Sequence, residues 1–334
     1  MPVTLAQAKL NATDDIDVNI INEYVKSSDV LNRLTFDDVV SGAGNGATLT
    51  YGYTRQISQR SAAFRALNAE YTPAEVTKAR YSVDLKPLGG SFQIDRVLNR
   101  VAAGAETAFQ LSNLVEASSA KFNDSFFNGD TAVDANGFDG LNKLLTGSTT
   151  EYLPLANGST TGYLDWTNID TQAKAFQAQA QIDAWLSLMD RTPDAIYGPK
   201  KALALFKMIA AFSNQLDKTR NDFGQTISSY NGIALIDPLT KDGSNTDVLA
   251  LKSADTDGAG AGGTITGLAD LYAVGFGLNG VHGVSMACAP LVQTFLPDFN
   301  APGAVKTGEV EMGPVAVVCK RTRSAAVLRN VRVA

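Results

Sequence analysis

Chemistry near neutral pH needs a base, a reactive thiol or a set of metal ligands, and this chain of 334 residues has few of them: one histidine, His282, and two cysteines, Cys288 and Cys319. As a general base, His282 would need a positioned nucleophile, and no Gly-x-Ser-x-Gly elbow occurs, so a packed or surface histidine is expected. The cysteines are too few for a disulfide framework and match no zinc spacing. A zinc site would have to be built largely from carboxylates, so no metal or cofactor is expected. Asp255 to Gly263 is glycine-rich, but a phosphate loop continues into Lys-Ser/Thr and a helix, whereas Thr264-Ile-Thr-Gly267 follows here, and the segment reads as a solvent loop. Asp130, Asp134, Asn136 and Gly137 approximate a calcium loop. The glycine falls too early and the twelfth position holds no Glu, so a turn cluster is expected. Asp217-Lys-Thr219 resembles a phosphorylated-aspartate motif without any supporting partner and reads as an exposed helix end. No enzymatic constellation emerges, and the chain reads as a non-enzyme.

Charge carries more information. The net charge is −6, and a chain whose main work is gripping phosphates would be basic. The distribution is uneven: −4 over residues 1–46, +4 over 47–100, −10 over 101–300 and +4 over 301–334. An acidic leading segment followed by a basic one invites contact between them. That contrast nominates Arg55, Arg60, Arg65, Lys78 and Arg80 as inter-subunit contacts, set against Asp14, Asp15 and Asp17 of a neighbour. Leu271 to Pro297 lacks charged residues and has the length to span a bilayer. It also holds Asn279, His282, Pro290, Gln293 and four glycines, so it reads as buried strands and turns, and no membrane partner is expected. The N-terminus has no secretory-signal pattern.

These residues must be positioned by elements, and the pattern of elements is mixed. Residues 1–46 read as an arm, with a short helix around Ile16–Lys26 and a break at Ser41–Gly46. Residues 47–100 read as a long hairpin built from Ala47–Ile57 and Val76–Lys86. In the second strand Val76, Lys78, Arg80, Ser82, Asp84 and Lys86 fall on one mostly charged face. A two-stranded ribbon with so little apolar surface is marginal alone in water, so another subunit is expected to complete it. Val101, Ala105, Ala108, Leu111, Val115, Ser118, Phe122 and Phe126 recur at helical spacing and predict one long helix over 101–127, ended by Asn128-Gly129 with the glycine in a left-handed cap. After a turn-rich stretch, one helix is expected from Thr167 with Asp170 in a capping box, and a second begins at Pro199. Strands follow at Gly232–Asp237, Val248–Leu251, Leu271–Phe276, Pro314–Cys319 and Ala326–Val333. The class is α+β.

Taken in this order, the elements resemble the major capsid proteins of tailed bacteriophages, which share the Hong Kong 97-like fold. The resemblance is carried by Leu34-Thr-Phe-Asp-Asp38, by Phe126-Phe-Asn-Gly-Asp130 at the end of the long helix, and by Gly137-Phe-Asp-Gly-Leu141. In the second half it is carried by Tyr230-Asn-Gly-Ile-Ala-Leu-Ile-Asp-Pro238 and by Val315–Val333. It implies an N-terminal arm (1–46), an extended loop (47–100), a peripheral domain with a spine helix (101–165, completed by returning strands at 301–334) and an axial domain (166–300). The implied function is structural: pentamers and hexamers of one chain closing an icosahedral shell around double-stranded DNA held without sequence specificity, in a virion assembled in the host cytoplasm. A portal protein and any decoration protein are the further partners implied. Only a short arm precedes the hairpin, so a separate scaffolding protein is expected. Members of the family can join Lys to Asn between subunits. Lys78, Lys86, Asn330, Glu309 and Glu311 supply the residue types, but no motif fixes them. A bacterial encapsulin-type nanocompartment around an enzyme cargo is the alternative that the same fold allows.

Overall fold

A computed structural model describes residues 29–41, 49–73, 75–101, 105–157, 162–220, 226–254, 264–287 and 290–334. Asp14, Asp15 and Asp17, the helix expected at Ile16–Lys26, the Asp255–Gly263 loop and Cys288 lie outside these residues.

The chain enters through a short helix α1 (Asp29–Arg33) and strand β1 (Phe36–Ser41). The ribbon strands β2 (Thr50–Gln56) and β3 (Lys78–Asp84) follow. The expected 47–100 hairpin is in fact two objects. β2 and β3 pair only with each other, Thr50 opposite Asp84 and Gln56 opposite Lys78. At Leu85, buried with its N–H on the Leu49 carbonyl at 2.8 Å, the chain turns into β4 (Lys86–Asp95), which belongs to the body. Anchoring Leu85 is what separates ribbon from sheet.

A short helix α2 (Arg96–Val101) leads into the long helix α3 (Ala105–Asn128), about 36 Å long at 1.5 Å per residue. Its apolar stripe is buried at one end only. Phe122, Phe126 and Phe127 are fully enclosed, whereas Val115 near its middle and Val101 ahead of it are exposed. Gly129 ends the helix for a reason other than the one expected. Its φ is not in the left-handed region, but a Cβ there would lie 2.3 Å from the Phe138 carbonyl oxygen, so the turn closes only on a bare backbone. Gly90 serves β4 similarly, since a side chain would strike Leu114 of α3 at 2.6 Å.

Two sheets hold the body. In the first, the fifteen-residue β15 (Val305–Cys319) pairs antiparallel with β13 (Val281–Ala287) through Ala316–Cys319, with β14 (Val292–Phe295) through Glu309–Met312, and with β4, and β1 pairs parallel with β13. The β4 register shifts between Met312 and Val315, where Pro314 has no N–H to donate.

The second sheet has nine strands. Its path runs β5 (Glu151–Tyr152), β16 (Ala325–Arg332), β12 (Ile265–Val274), β7 (Ala195–Tyr197), β10 (Ile233–Ile236), β9 (Thr226–Tyr230) and β8 (Leu216–Arg220). β6 (Leu164–Asp165) and β11 (Lys252–Ala254) are attached off that path. A small helix α4 (Leu141–Leu145) precedes β5. Helices α5 (Gln172–Leu186) and α6 (Lys200–Phe212) pack together, and around the sheet's core Ile182, Trp185, Phe206, Ile209 and Tyr230 are buried with Trp166. β13 and β14 pair with β15, while β16 pairs with β12 in the nine-stranded sheet.

Other local expectations shift. α5 starts at Gln172, capped by the Thr171 hydroxyl accepting from the Lys174 N–H, rather than at Thr167. Asp217-Lys-Thr219 lies in β8, not at a helix end, and the strand near 250 is Lys252–Ala254. The described residues of the charge-free Leu271–Pro297 form strands and turns, and no helix among the described residues is long and apolar enough to cross a membrane.

Candidate assembly surfaces

The ribbon is fixed at its base and free beyond it. On β2, Tyr51, Tyr53 and Arg55 alternate toward the body, as a period of two requires. The Arg55 guanidinium donates to the Cys319 and Lys320 carbonyls at 2.8 and 2.9 Å and lies 4.6 Å from the centre of the Tyr81 ring. Tyr53 stacks on Tyr81 at 5.6 Å and its hydroxyl donates to the Cys319 carbonyl at 3.4 Å. Burial raises the Tyr53 phenol above its ordinary range against the pull of Arg55, and burial likewise raises the Cys319 thiol, which is inert here.

Under this base sits His282, fully buried in β13. Its Nδ1 lies 3.4 Å from the Gly280 carbonyl, Nε2 has no partner, and the Tyr51 ring meets it edge-on at 6.2 Å. Burial, reinforced by Lys320, pushes its pKa below the ordinary histidine value. The ring is packed in the core, with Lys320 and Asp37 near enough to act on its charge.

Past Gln56 the ribbon continues without a sheet. Ile57 and Ser58 still bond to Thr77, and then every residue from Gln59 to Pro73 is exposed. Phe64 and Leu67 stand almost wholly in solvent, with Ile57 and Tyr71 largely so. Arg65 is used locally, donating to Ala66 and Ala69 carbonyls and lying over Tyr71. A second apolar surface lies at the far end of β4, where Val97, Leu98 and Val101 of α2 and Val305 of β15 are exposed.

The nominated contact residues therefore divide. Arg55 is spent on its own chain. Arg60 and Arg65 sit on the exposed tip and Lys78 and Arg80 on the outward face of β3. Their partners Asp14, Asp15 and Asp17 are outside the described residues. The crosslinking types are not brought together in one sheet: Asn330 is in β16, its N–H on Asp270 at 3.0 Å, while Glu309 and Glu311 are on β15. The acidic turn at 130–139 is closed by a cation of its own, with Lys143 at 2.6 Å from Asp130 and 3.0 Å from Asp139, and hydrogen bonding from Lys143 holds the Asp130 carboxyl below its usual range.

Sequence reasoning missed two features. One is the apolar tip, whose Phe64 and Leu67 lie between the strands that drew attention. The other is a groove beside the ribbon base, lined by Arg55, Arg191, Asn279, Lys320, Arg321 and Arg323. It runs as two contiguous clefts of about 790 and 300 Å³ that share Asp190, Asn279, Arg321 and Arg323. The +4 balance of residues 301–334 was its signal.

No family model matches the sequence, and no curated protein matches it. Solved structures do. The chain is similar to the holo-SrpI encapsulin complex of Synechococcus elongatus (13% identity, TM-score 0.60, covering 100% of this chain and 97% of that one). It is also similar to the capsid of the native GTA particle (12%, 0.58, 98% and 97%) and to Microbacterium phage Oxtober96 (12%, 0.57, 99% and 100%). At such identities what is shared is the fold, end to end, and the chain thus has the Hong Kong 97-like fold of phage capsids and encapsulins.

Proposed function

We propose that this chain is the subunit of a self-assembling shell, closing as pentamers and hexamers into an icosahedral container for double-stranded DNA. The observation that carries the reading is the ribbon: a base locked by Arg55 and Tyr53, and a tip whose Phe64 and Leu67 cover nothing among the described residues. Burying a Phe or Leu side chain contributes ~1.5–3 kcal/mol, which contact with another copy would supply. Identical contacts repeated on a closed surface then make assembly cooperative. In this reading the five-stranded sheet and α3 form the peripheral part, the nine-stranded sheet with α5 and α6 forms the axial part, and residues 1–46 and 47–100 are arm and extended loop. A separate scaffolding protein, a portal protein and any decoration protein complete the virion, built in the host cytoplasm. The net charge of −6 suits a wall that leaves packaged DNA to its counterions.

Full-length similarity to an encapsulin favours a second reading, an enzyme-filled nanocompartment. Sedimentation and electron microscopy of the purified protein, alone and with a scaffold, test the shell; a species that stays monomeric or dimeric in both overturns it. Nuclease-protected DNA in the particles supports the virion, and co-purifying enzyme supports the nanocompartment.

A further inference from the structure

The groove beside the ribbon base has more cations than the described residues neutralise. Arg55, Arg191, Lys320, Arg321 and Arg323 gather there. Among the described residues, the carboxylates within reach are Asp190, which Arg323 and Arg321 approach at 3.5 and 3.8 Å, Asp194 on Arg191 at 3.0 Å, and Asp37 on Lys320 at 3.7 Å. Five cations thus face three carboxylates, Asp190 is shared by two arginines, and Arg321 and Arg323 remain more than half exposed. The spare charge lies in a trough, not on a convex face, which suits an inserted acidic strand of chain.

The described chain begins next to it. The Asp29 carboxylate accepts from the Tyr197 hydroxyl at 3.1 Å, the Tyr197 ring meets Phe276 edge-on at 6.5 Å, and the Phe276 carbonyl accepts from Arg191 in the groove wall. Tyr197 and Phe276 therefore link Asp29 to the groove. The eleven residues between Asp17 and Asp29, twelve steps of chain, reach at most ~40 Å when extended. The sequence upstream is Asp14-Asp15-Ile16-Asp17.

We propose that this groove is the docking site for the acidic segment Asp14–Asp17 of the same subunit. Charge complementarity selects the segment. The short tether selects the copy, because it holds the carboxylates at a millimolar-scale effective concentration that a separate molecule does not match. The inference deepens the shell reading: the arm braces the turn to which the ribbon base is bonded, and so sets the ribbon before subunits meet.

Zero-length carbodiimide coupling tests this, because it joins only carboxylates and amines already in contact. With Arg323→Lys in the full chain, the 3.5 Å neighbour Asp190 provides an internal control link to position 323. The expected result is a second link from Asp14, Asp15 or Asp17 to position 323 or to Lys320, lost in D14N/D15N/D17N. In particles assembled from mixed heavy- and light-isotope subunits, links within one isotope support the proposal. Links between isotopes would mean that a second copy's arm fills the groove, and a control link without any arm link would mean that nothing from the arm does; either result overturns it. Shells that form normally alongside such a result would leave the assembly reading standing, whereas absence of shells in every condition would remove that reading by itself.

Discussion

Phe64→Ala separates the stability of the subunit from the stability of the shell. In the isolated subunit the ring touches almost nothing, so its loss should leave folding stability within ~0.5 kcal/mol, as for an ordinary surface change. In the assembled shell each subunit gives one tip and receives one. The loss is then counted once per subunit, at about 2 kcal/mol for the buried ring. At 1.4 kcal/mol per factor of ten, that raises the critical concentration for assembly about 30-fold. The assay is light scattering or sedimentation over a dilution series, with thermal melting of unassembled subunits alongside. Leu67→Ala should behave the same way. Assembly at unchanged concentration would refute the reasoning, as would a large drop in melting temperature, because either places the ring somewhere other than between copies.

Arg55→Met should free the ribbon base without unfolding the body: losing two hydrogen bonds from a charged donor should speed chymotrypsin cleavage at Tyr51, Tyr53 and Tyr81 by roughly tenfold or more while the global melt holds. Arg329→Met should destabilise the whole subunit. Its guanidinium, almost fully buried, reaches Glu151 at 2.8 Å and Asp270 at 2.9 Å, and breaking such pairs costs ~3–5 kcal/mol. Denaturant unfolding should find the lower end, since Lys252 still holds Asp270 at 2.7 Å. His282 gives a pH dependence. Its folded pKa lies below the unfolded value near 6.5, so the unfolded chain binds the extra proton, and stability present above pH ~6.5 falls as the medium is acidified below it. Melting temperatures between pH 7.5 and 5.5 should fall more steeply for the wild type than for His282→Gln; parallel curves would contradict this.

Elements with strong local patterns were legible. The helix at Ala105–Asn128, the strand after Asn231-Gly232 and the two C-terminal strands follow from period and turn chemistry. The alternation in β3 gave its two faces correctly, with Ala79 and Val83 the more covered. What was hidden depends on contacts distant in sequence. Whether Arg55 faces a neighbour or its own Cys319 carbonyl is decided by a turn 264 residues away. The helix stripe is continuous in sequence, yet only Phe122 onward meets a core, because burial depends on where the sheets end. Gly129 suggested a left-handed cap, and the real constraint, the Phe138 carbonyl, cannot be seen from spacing. The groove was legible only as the +4 balance of residues 301–334, for the same reason: Arg191 is distant in the chain from Lys320, Arg321 and Arg323, and only the fold brings them to one wall.

The central claim is that a second copy covers the tip of the ribbon. Hydroxyl-radical footprinting of Phe64, Leu67 and Tyr71, compared between unassembled subunits and purified particles, reads that directly. The account predicts strong oxidation in subunits and marked protection in particles, with an outward loop such as that at Val133 as an unchanged reference. Equal oxidation in both states would contradict it.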